Sequence, residues 1–191
     1  GLKVLAPFTA AEAKGMIKAA VRDPNPVVIL ENELMYGVSM ELTAEEMDKD
    51  YVIEIGKAHV AREGTDVTIV TFSRMTQLSL DAAEILAEKG ISAEVINLRT
   101  LRPMDRDAII KSVMKTNRLV TVEEGWPQCG VGAEVGAVVY ETEAFDHLDA
   151  PVERITGVDV PMPYATNLEA AVLPKVQNIV NACERACYRN K

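Results

Sequence analysis

The sequence lacks two features that would each point to a particular class of partner. No apolar run approaches the ~20 residues that span a bilayer. No basic cluster is present either, because 20 basic residues stand against 29 acidic ones and the net charge is -9. Such a chain has no means of neutralising a run of phosphates, so we expect neither nucleic acid nor a membrane among its partners.

Cysteine is also scarce. Cys129, Cys183 and Cys187 are odd in number and include no close C-x-x-C pair. This pattern argues against a disulfide framework and indicates free thiols in a reducing compartment. Cys183 and Cys187 lie four residues apart on the apolar face of a predicted helix, where filling the core is favoured over binding a soft metal.

What is present is enough apolar sequence for a core. A chain of 191 residues with 48% hydrophobic content accommodates one or two domains. The chain starts at Gly1 with no basic-then-apolar leader, and GLKVLAP reads as the end of a strand followed by a loop. We therefore expect a fragment of a longer protein.

The first part of the chain predicts one helix, one strand and a connecting segment. Thr9 and Glu12 form the T-x-x-E capping box of a helix that extends to Arg22. Two prolines end this helix, and VVIL (27–30) then predicts a strand of a parallel sheet that is buried on both faces. Residues 37–64 include the acid-rich stretch ELTAEEMDKD, which indicates a solvated linker.

From residue 65 onward, predicted strands alternate with predicted helices. Asp105 is placed to cap one of these helices, and Pro174 to be the first residue of the last one. The predicted strands are VTIVTF (67–72), AEVINL (93–98), RLVTVEE (118–124) and VERIT (152–156). This alternation predicts a doubly wound α/β domain with a mostly parallel sheet over 65–191, preceded by the last helix and strand of another α/β domain.

The glycine-rich stretch GVGAEVG (130–136) is superficially a dinucleotide-binding turn. Its spacing is G-x-G-x-x-x-G, one residue too long, and no acidic ribose partner ends the next strand. Close packing of a strand against a helix is therefore the favoured explanation of the glycines.

Four further polar residues are candidates for chemistry. His59 and His147 have no cysteine or histidine at ligand spacing, so solvated surface positions are favoured. Glu31 and Glu33 follow VVIL at the carboxyl end of a strand, where α/β enzymes place functional groups. Hydrogen bonding at an interface or linker is favoured over catalysis for both glutamates.

The end of the first helix is a candidate cation site. Its last carbonyl groups lack intrahelical partners and carry partial negative charge. If the prolines hold the next turn rigid, carbonyl oxygens of Ala20, Val21, Asp23 and Asn25 converge on one hard cation. From the residues alone, an ordinary helix end stopped by proline is the alternative.

Several segments in order resemble the β subunits of thiamine-diphosphate-dependent 2-oxoacid dehydrogenases, a transketolase-like family, and the pyruvate dehydrogenase type most closely. The segments are GLKVLAP, NPVVILENELMYG, VINLRTLRPMD, LVTVEEGWPQCGVGAE and ITGVDVPMPYA, which together extend over essentially the whole chain. The resemblance implies that residues 1–36 are the C-terminal end of a pyrimidine-binding domain and that residues 37–64 are the linker between two domains. Residues 65–191 would then form a transketolase-like C-terminal domain. The tail ERACYRNK extends a little past the end that is usual in this family.

The resemblance also implies an activity, oxidative decarboxylation of pyruvate with acetyl transfer to lipoyl groups of an acetyltransferase core. In the family, the glutamate and histidine of this subunit's active site lie upstream of residue 1, and the α subunit holds the diphosphate and magnesium. The resemblance therefore implies that this chain contains no catalytic residue and no cofactor-binding residue, and the fragment alone is expected to be inactive.

Two sites carry over by resemblance. Potassium is implied at Ala20, Val21, Asp23 and Asn25, and Asp149 is implied to contact the subunit-binding domain of the acetyltransferase. From the residues alone, Asp149 caps a local turn. The implied assembly is an α2β2 heterotetramer, with an α subunit and a second β subunit as partners.

Three alternative functions and one alternative location stay open at this stage. One alternative function is the β subunit of a branched-chain 2-oxoacid dehydrogenase, and another is an interaction module without catalysis. A free-standing nicotinamide dehydrogenase would require binding of NAD at residues 130–136. The mitochondrial matrix is the expected location, with the bacterial cytoplasm as the alternative.

Overall fold

The computed structural model describes residues 1–188, in two sheets with helices around them. The strands are β1 (Lys3–Leu5), β2 (Val27–Ile29), β3 (His59–Arg62), β4 (Val67–Thr71), β5 (Ala93–Asn97), β6 (Thr100–Arg102), β7 (Leu119–Val122) and β8 (Glu153–Ile155). The helices are α1 (Ala10–Arg22), α2 (Ala44–Met47), α3 (Met75–Glu88), α4 (Arg106–Thr116), α5 (Val131–Tyr140), α6 (Thr166–Val172) and α7 (Val176–Ala186). The last three residues of the tail ERACYRNK lie outside the described residues.

The first sheet has three strands in the order β2-β1-β6. β1 and β2 are parallel, whereas β6 pairs with β1 in the antiparallel direction. α1 packs on this sheet through a small core of Leu5, Met16 and Ile53. The capping box of α1 is present, since Glu12 N donates to Thr9 Oγ1 at 3.0 Å. The prediction that VVIL is buried on both faces is wrong, because β2 is an edge strand whose Val28 is exposed.

The second sheet has five strands in the order β3-β5-β4-β7-β8. The last four are mutually parallel, and β3 is an antiparallel edge strand. Residues of α3 and α7 form one core cluster with this sheet, and residues of α4 and α5 form another. Two clusters on opposite faces are the arrangement of a doubly wound α/β domain, as predicted.

Four short elements were not predicted from the sequence, namely α2, β3, β6 and α6. β3 lies within the predicted linker 37–64, although its backbone pairs with β5. The division into 1–36, 37–64 and 65–191 stays a prediction. The placement of Pro174 as the first helical residue is wrong, because α7 begins at Val176 after its N-cap Lys175. Asn178 Oδ1 accepts from Lys175 N at 2.9 Å and so caps the helix one residue after the proline.

A buried carboxylate joins the two sheets. Glu12 is 1% exposed, and its carboxylate accepts from Arg99 Nε at 2.6 Å and from Asn97 Nδ2 at 3.0 Å. The N–H of Phe8 donates to the same carboxylate at 2.8 Å. Arg99 lies in the turn between β5 and β6, and its carbonyl accepts from Ala6 N at 2.7 Å. The turn that leaves the second sheet is thus bonded to both ends of the loop between β1 and α1.

We predict that Glu12→Gln lowers the free energy of unfolding by about 3 kcal/mol, because it leaves the Arg99 guanidinium without its buried counter-charge. Urea denaturation of the wild-type and variant proteins measures the difference. The matched control is Glu141→Gln, which breaks an exposed pair with Arg106 at 3.2 Å and should cost less than about 1 kcal/mol. Equal losses in the two variants would contradict a joining role for Glu12.

Candidate functional site

The carboxyl ends of strands from both sheets meet at one place. Asn32 follows β2, Arg74 follows β4 and Glu124 follows β7. Asn32 Nδ2 donates to Glu124 Oε2 at 3.0 Å, and Arg74 Nη1 donates to Glu124 Oε1 at 2.9 Å. β4 lies between β5 and β7, so the chain order reverses there. In doubly wound folds, ligands bind outside the carboxyl ends of the strands at such a reversal.

This cluster is only partly open to solvent. The side chains of Arg74 and Glu124 are each 29% exposed, and both oxygens of the carboxylate already have a partner. Its present effect is to hold the first sheet against the second at their carboxyl edges. Sequence reasoning missed Arg74 and Glu124 as a pair, although the two acids at the end of RLVTVEE were a visible signal.

The glycine-rich turn surrounds a second buried carboxylate, that of Glu123. Its oxygens accept from Gly132 N at 2.8 Å and Val131 N at 3.1 Å, at the start of α5. A Cβ atom at Gly130 would lie 2.5 Å from Glu123 Oε1, so glycine is needed for this approach. The chain's own carboxylate thus occupies the anion-binding end of the helix, where a dinucleotide fingerprint would hold a pyrophosphate. Gly130 and Gly132 serve the close packing that the spacing favoured, whereas a Cβ atom at Gly136 would meet nothing within 4 Å.

The four candidate cation ligands lie together at the end of α1. Asp23 is the C-cap residue, and its N–H donates to the carbonyl of Ala20 at 3.2 Å. Its carboxylate forms an ion pair with Lys3 and accepts from Asn25 N at 2.9 Å. Hydrogen bonds from Lys3 first, and then from Asn25, lower the pKa of Asp23 from 3.8 to about 2.

A cation at this place would depend on backbone carbonyls rather than on side chains, and the carbonyl of Ala20 already accepts from Asp23 N. The carbonyls at the end of α1 carry partial negative charge, while the Asp23 carboxylate is already neutralised by Lys3. Within residues 1–188, no group of three or more His, Cys, Asp or Glu side chains could hold a metal ion. A cation site here therefore stays a prediction that depends on carbonyl oxygens.

Asp149 precedes β8 and lies near the amino ends of the strands of the second sheet, opposite the carboxyl ends where Glu124 lies. Its N–H donates to the carbonyl of Asn117 at 2.8 Å, and Tyr188 Oη donates to its carbonyl at 2.6 Å. Its carboxylate is half exposed and accepts from Arg118 Nη2 at 3.4 Å. Asp149 is thus held by its backbone and by Arg118, with its carboxylate at the surface.

The part of the chain that forms the second sheet and most of its helices is similar in sequence to a known protein family. The profile of the family described as "Transketolase, C-terminal domain" matches residues 56–179, which is more than half of the chain. The chain belongs to this family. A solved structure described as "Split gene transketolase, inactive beta4 tetramer" is similar to this chain, with a TM-score of 0.79 and 28% sequence identity. The alignment covers 100% of this chain and 59% of the chain in that structure.

Curated relatives extend the match beyond the transketolase C-terminal domain. The mitochondrial pyruvate dehydrogenase E1 component subunit beta-1 of Arabidopsis thaliana is 63% identical over all 191 residues. The mitochondrial subunit beta of Dictyostelium discoideum is 60% identical over the same span, and that of Mus musculus is 58% identical over 185 residues. The chain spans about half the length of these relatives, since it covers 52%, 53% and 52% of them.

Of the other candidate residues, Cys183 serves the packing of this domain, whereas His59 and Glu31 lie at the surface. Cys183 is buried in the core of α7, where desolvation raises the pKa of its thiol. His59 is half exposed and lies 4.0 Å from Glu12, and burial lowers its pKa. Glu31 accepts from Tyr36 Oη at 3.0 Å, which raises the pKa of Tyr36.

In residues 1–188, no helix is long and apolar enough to cross a membrane.

The pairing of Asp23 predicts its titration. Because its pKa is lowered on folding, the stabilising contribution of its charge is complete above the ordinary value of 3.8 and is lost as pH falls through about 2. Lys3→Met should move the titration midpoint of Asp23 back toward 3.8, as measured by carboxyl carbon NMR. The control Arg22→Met removes a nearby exposed pair with Asp50 and should leave the midpoint in place. An unchanged midpoint in Lys3→Met would refute the assigned cause.

Proposed function

We propose that this chain is the C-terminal portion of the β subunit of a pyruvate dehydrogenase. The observation that carries the proposal is 57–63% identity over 97–100% of the chain to β subunits of that enzyme. The branched-chain alternative is not favoured, because the relatives described above are all of the pyruvate type. The whole enzyme would oxidatively decarboxylate pyruvate and transfer the acetyl unit to lipoyl groups of the acetyltransferase core.

In this proposal the chain supports the chemistry from outside the reacting atoms. Thiamine diphosphate, when bound in the whole enzyme, supplies the carbanion chemistry that releases carbon dioxide. The residues present here fit a supporting role, since Glu123 already occupies the anion-binding end of α5. Glu12 and Glu124 hold the two sheets in one orientation, which would fix the upstream active-site half relative to this one. Magnesium and the diphosphate belong to the α subunit in the proposal.

Reconstitution tests the function. The whole β subunit mixed with its α subunit should release carbon dioxide from pyruvate, and residues 1–191 mixed with the same α subunit should not. A branched 2-oxoacid, 3-methyl-2-oxobutanoate, serves as the substrate control and should be turned over far more slowly. Turnover by residues 1–191 would contradict the assignment of the catalytic residues to the upstream half, and preference for the branched substrate would contradict the pyruvate assignment.

The proposed location is the mitochondrial matrix. The support is that the relatives from Arabidopsis thaliana, Dictyostelium discoideum and Mus musculus are all named as mitochondrial.

Potassium is proposed at the end of α1, held by carbonyls of Ala20, Val21, Asp23 and Asn25. Removing potassium should lower the melting temperature of the intact β subunit, and sodium should restore it poorly, because the turn between the prolines fixes the spacing of the carbonyls. Crystals soaked in rubidium should show an anomalous peak beside Ala20, Asp23 and Asn25. The absence of that peak would contradict the potassium site, and the prolines would then serve only to end α1.

Asp149 is proposed to dock a basic group of the acetyltransferase's subunit-binding domain, in an α2β2 enzyme. Its exposed carboxylate pairs with Arg118 across 3.4 Å, a contact that contributes little to stability. Asp149→Ala should therefore leave the melting temperature and decarboxylation nearly unchanged while weakening docking by ~2 kcal/mol. Calorimetric titration with the subunit-binding domain measures this. Asp146→Ala, three residues earlier and also exposed, is the control. Wild-type affinity of Asp149→Ala at both low and physiological salt would refute the docking role.

A further inference from the structure

A four-residue loop leaves the middle strand of the first sheet at its carboxyl end. It consists of residues 6–9, between β1 and α1, and we call it the β1–α1 loop. Its last three residues line a cavity of about 220 Å³ together with Glu31 and Asn32, which follow the parallel neighbour β2. In open α/β folds, loops at the carboxyl ends of parallel strands carry the groups that contact the ligand. The β1–α1 loop therefore has the position of a functional loop.

The backbone of the β1–α1 loop is bonded at every N–H group. Ala6 N donates to the carbonyl of Arg99 at 2.7 Å. Phe8 N and Thr9 N donate to Glu12 Oε2 at 2.8 and 3.4 Å, and the proline between Ala6 and Phe8 has no N–H to place. All of these bonds end on Glu12 or on its partner Arg99. The conformation of the loop therefore depends on this one pair, whatever else covers it in a longer chain.

Arg99 holds the loop with both its backbone and its side chain. It lies in the turn between β5 and β6 with a φ of +57°, a conformation that is costly for residues other than glycine or asparagine. Its carbonyl reaches Ala6 from there, and its Nε donates to Glu12 Oε1 at 2.6 Å. Glycine would supply the same carbonyl with less strain. The strained position is thus accounted for by the guanidinium, which meets a carboxylate of 1% exposure.

The two partners of this contact belong to different parts of the chain. The β1–α1 loop lies in the first sheet, whereas Arg99 lies within residues 56–179, which match the transketolase C-terminal domain. The carboxyl edges of the two sheets are already joined by Asn32 and Glu124. A bond to each N–H of one loop adds precision to that loop beyond what joining the sheets requires. Such precision matters at a reaction centre, because a displacement of about 1 Å can cost up to about a hundred-fold in rate.

We propose that Arg99 is a positioning residue for the decarboxylation, which acts by fixing the β1–α1 loop at the active site of the whole enzyme. The inference rests on the proposed function, in which the upstream half supplies the catalytic residues. Arg99 touches no reacting atom and acts through Glu12 and the backbone of the loop. The transketolase C-terminal domain then contributes to the rate of the reaction as well as to assembly.

The test measures pyruvate decarboxylation by α2β2 enzyme that carries variants in its whole β subunit. Arg99→Lys keeps a positive charge near Glu12 but loses the Nε donor of the planar guanidinium, so the loop should shift. We expect kcat to fall about ten-fold and KM for pyruvate to change less than about two-fold, because misplacement affects the reacting geometry more than substrate binding. The control Arg185→Lys makes the same exchange in a pair with Glu153 at 2.7 Å, between α7 and β8, and should keep the wild-type kcat.

A second variant separates the backbone of Arg99 from its side chain. Arg99→Gly relieves the positive φ and leaves the carbonyl opposite Ala6 N, while it removes the guanidinium. We expect kcat to fall about ten-fold or more here as well. All rates are measured on tetramers isolated by gel filtration, at a temperature well below the melting temperature of each variant. Hydrogen exchange followed by mass spectrometry should show faster exchange in residues 6–9 of both Arg99 variants.

A fall in kcat with faster exchange confined to residues 6–9, in the Arg99 variants and not in Arg185→Lys, supports the proposal. Wild-type kcat in either Arg99 variant overturns it. An equal fall in Arg185→Lys, or faster exchange throughout the chain, also overturns it, because the loss of rate would then reflect a general loss of stability. Absence of pyruvate turnover by the wild-type α2β2 enzyme is a distinct result, which would refute the proposed function and this inference with it.

Discussion

The relative placement of the two sheets depends on the buried carboxylate of Glu12. An ionised group with 1% exposure needs several hydrogen-bond donors, and they come from the turn after β5 as well as from the start of α1. Meeting that requirement brings Arg99 over β1, and the chain that follows Arg99 then pairs with β1 as β6. One carboxylate therefore decides where the strand from the second half joins the sheet of the first half.

Two more glutamates repeat this use of a carboxylate as a connector. Glu123 and Glu124 are neighbours at the end of β7, yet they act in different directions. Glu123 turns inward to the first N–H groups of α5, and Glu124 turns outward to Asn32 and Arg74. Consecutive residues of a strand point to opposite sides, so a pair of acids at a strand end can bond two different elements. The edge where doubly wound proteins bind ligands is here largely committed to holding the chain together.

Local signals in the sequence predicted those parts of the fold that depend on near neighbours. The capping box of α1 involves residues three apart, Asp105 caps α4 through Ala108 N, and the parallel strands follow from their apolar runs. β3 and β6 were missed because each is short and is fixed by pairing with a strand far away in the chain. Glu12 was recognised as a capping residue, but its bond to Arg99 spans 87 positions and has no local signature. At the candidate site, Asn32, Arg74 and Glu124 are likewise far apart in the chain, and only the fold brings them together.

The pairing of β6 with β1 has a consequence for recombination between homologous genes. The family boundary at residue 56 suggests a natural place to join the front of one homologue to the back of another. A chimera cut there would take β1 from one parent and β6, with Arg99, from the other. Such a chimera would fold only if the residues from the two parents preserved the register of β1 with β6 and the contact of the Glu12 carboxylate with Arg99. Although the family match begins at residue 56, an exchange that keeps the fold must therefore carry residues 3–12 and 97–102 together.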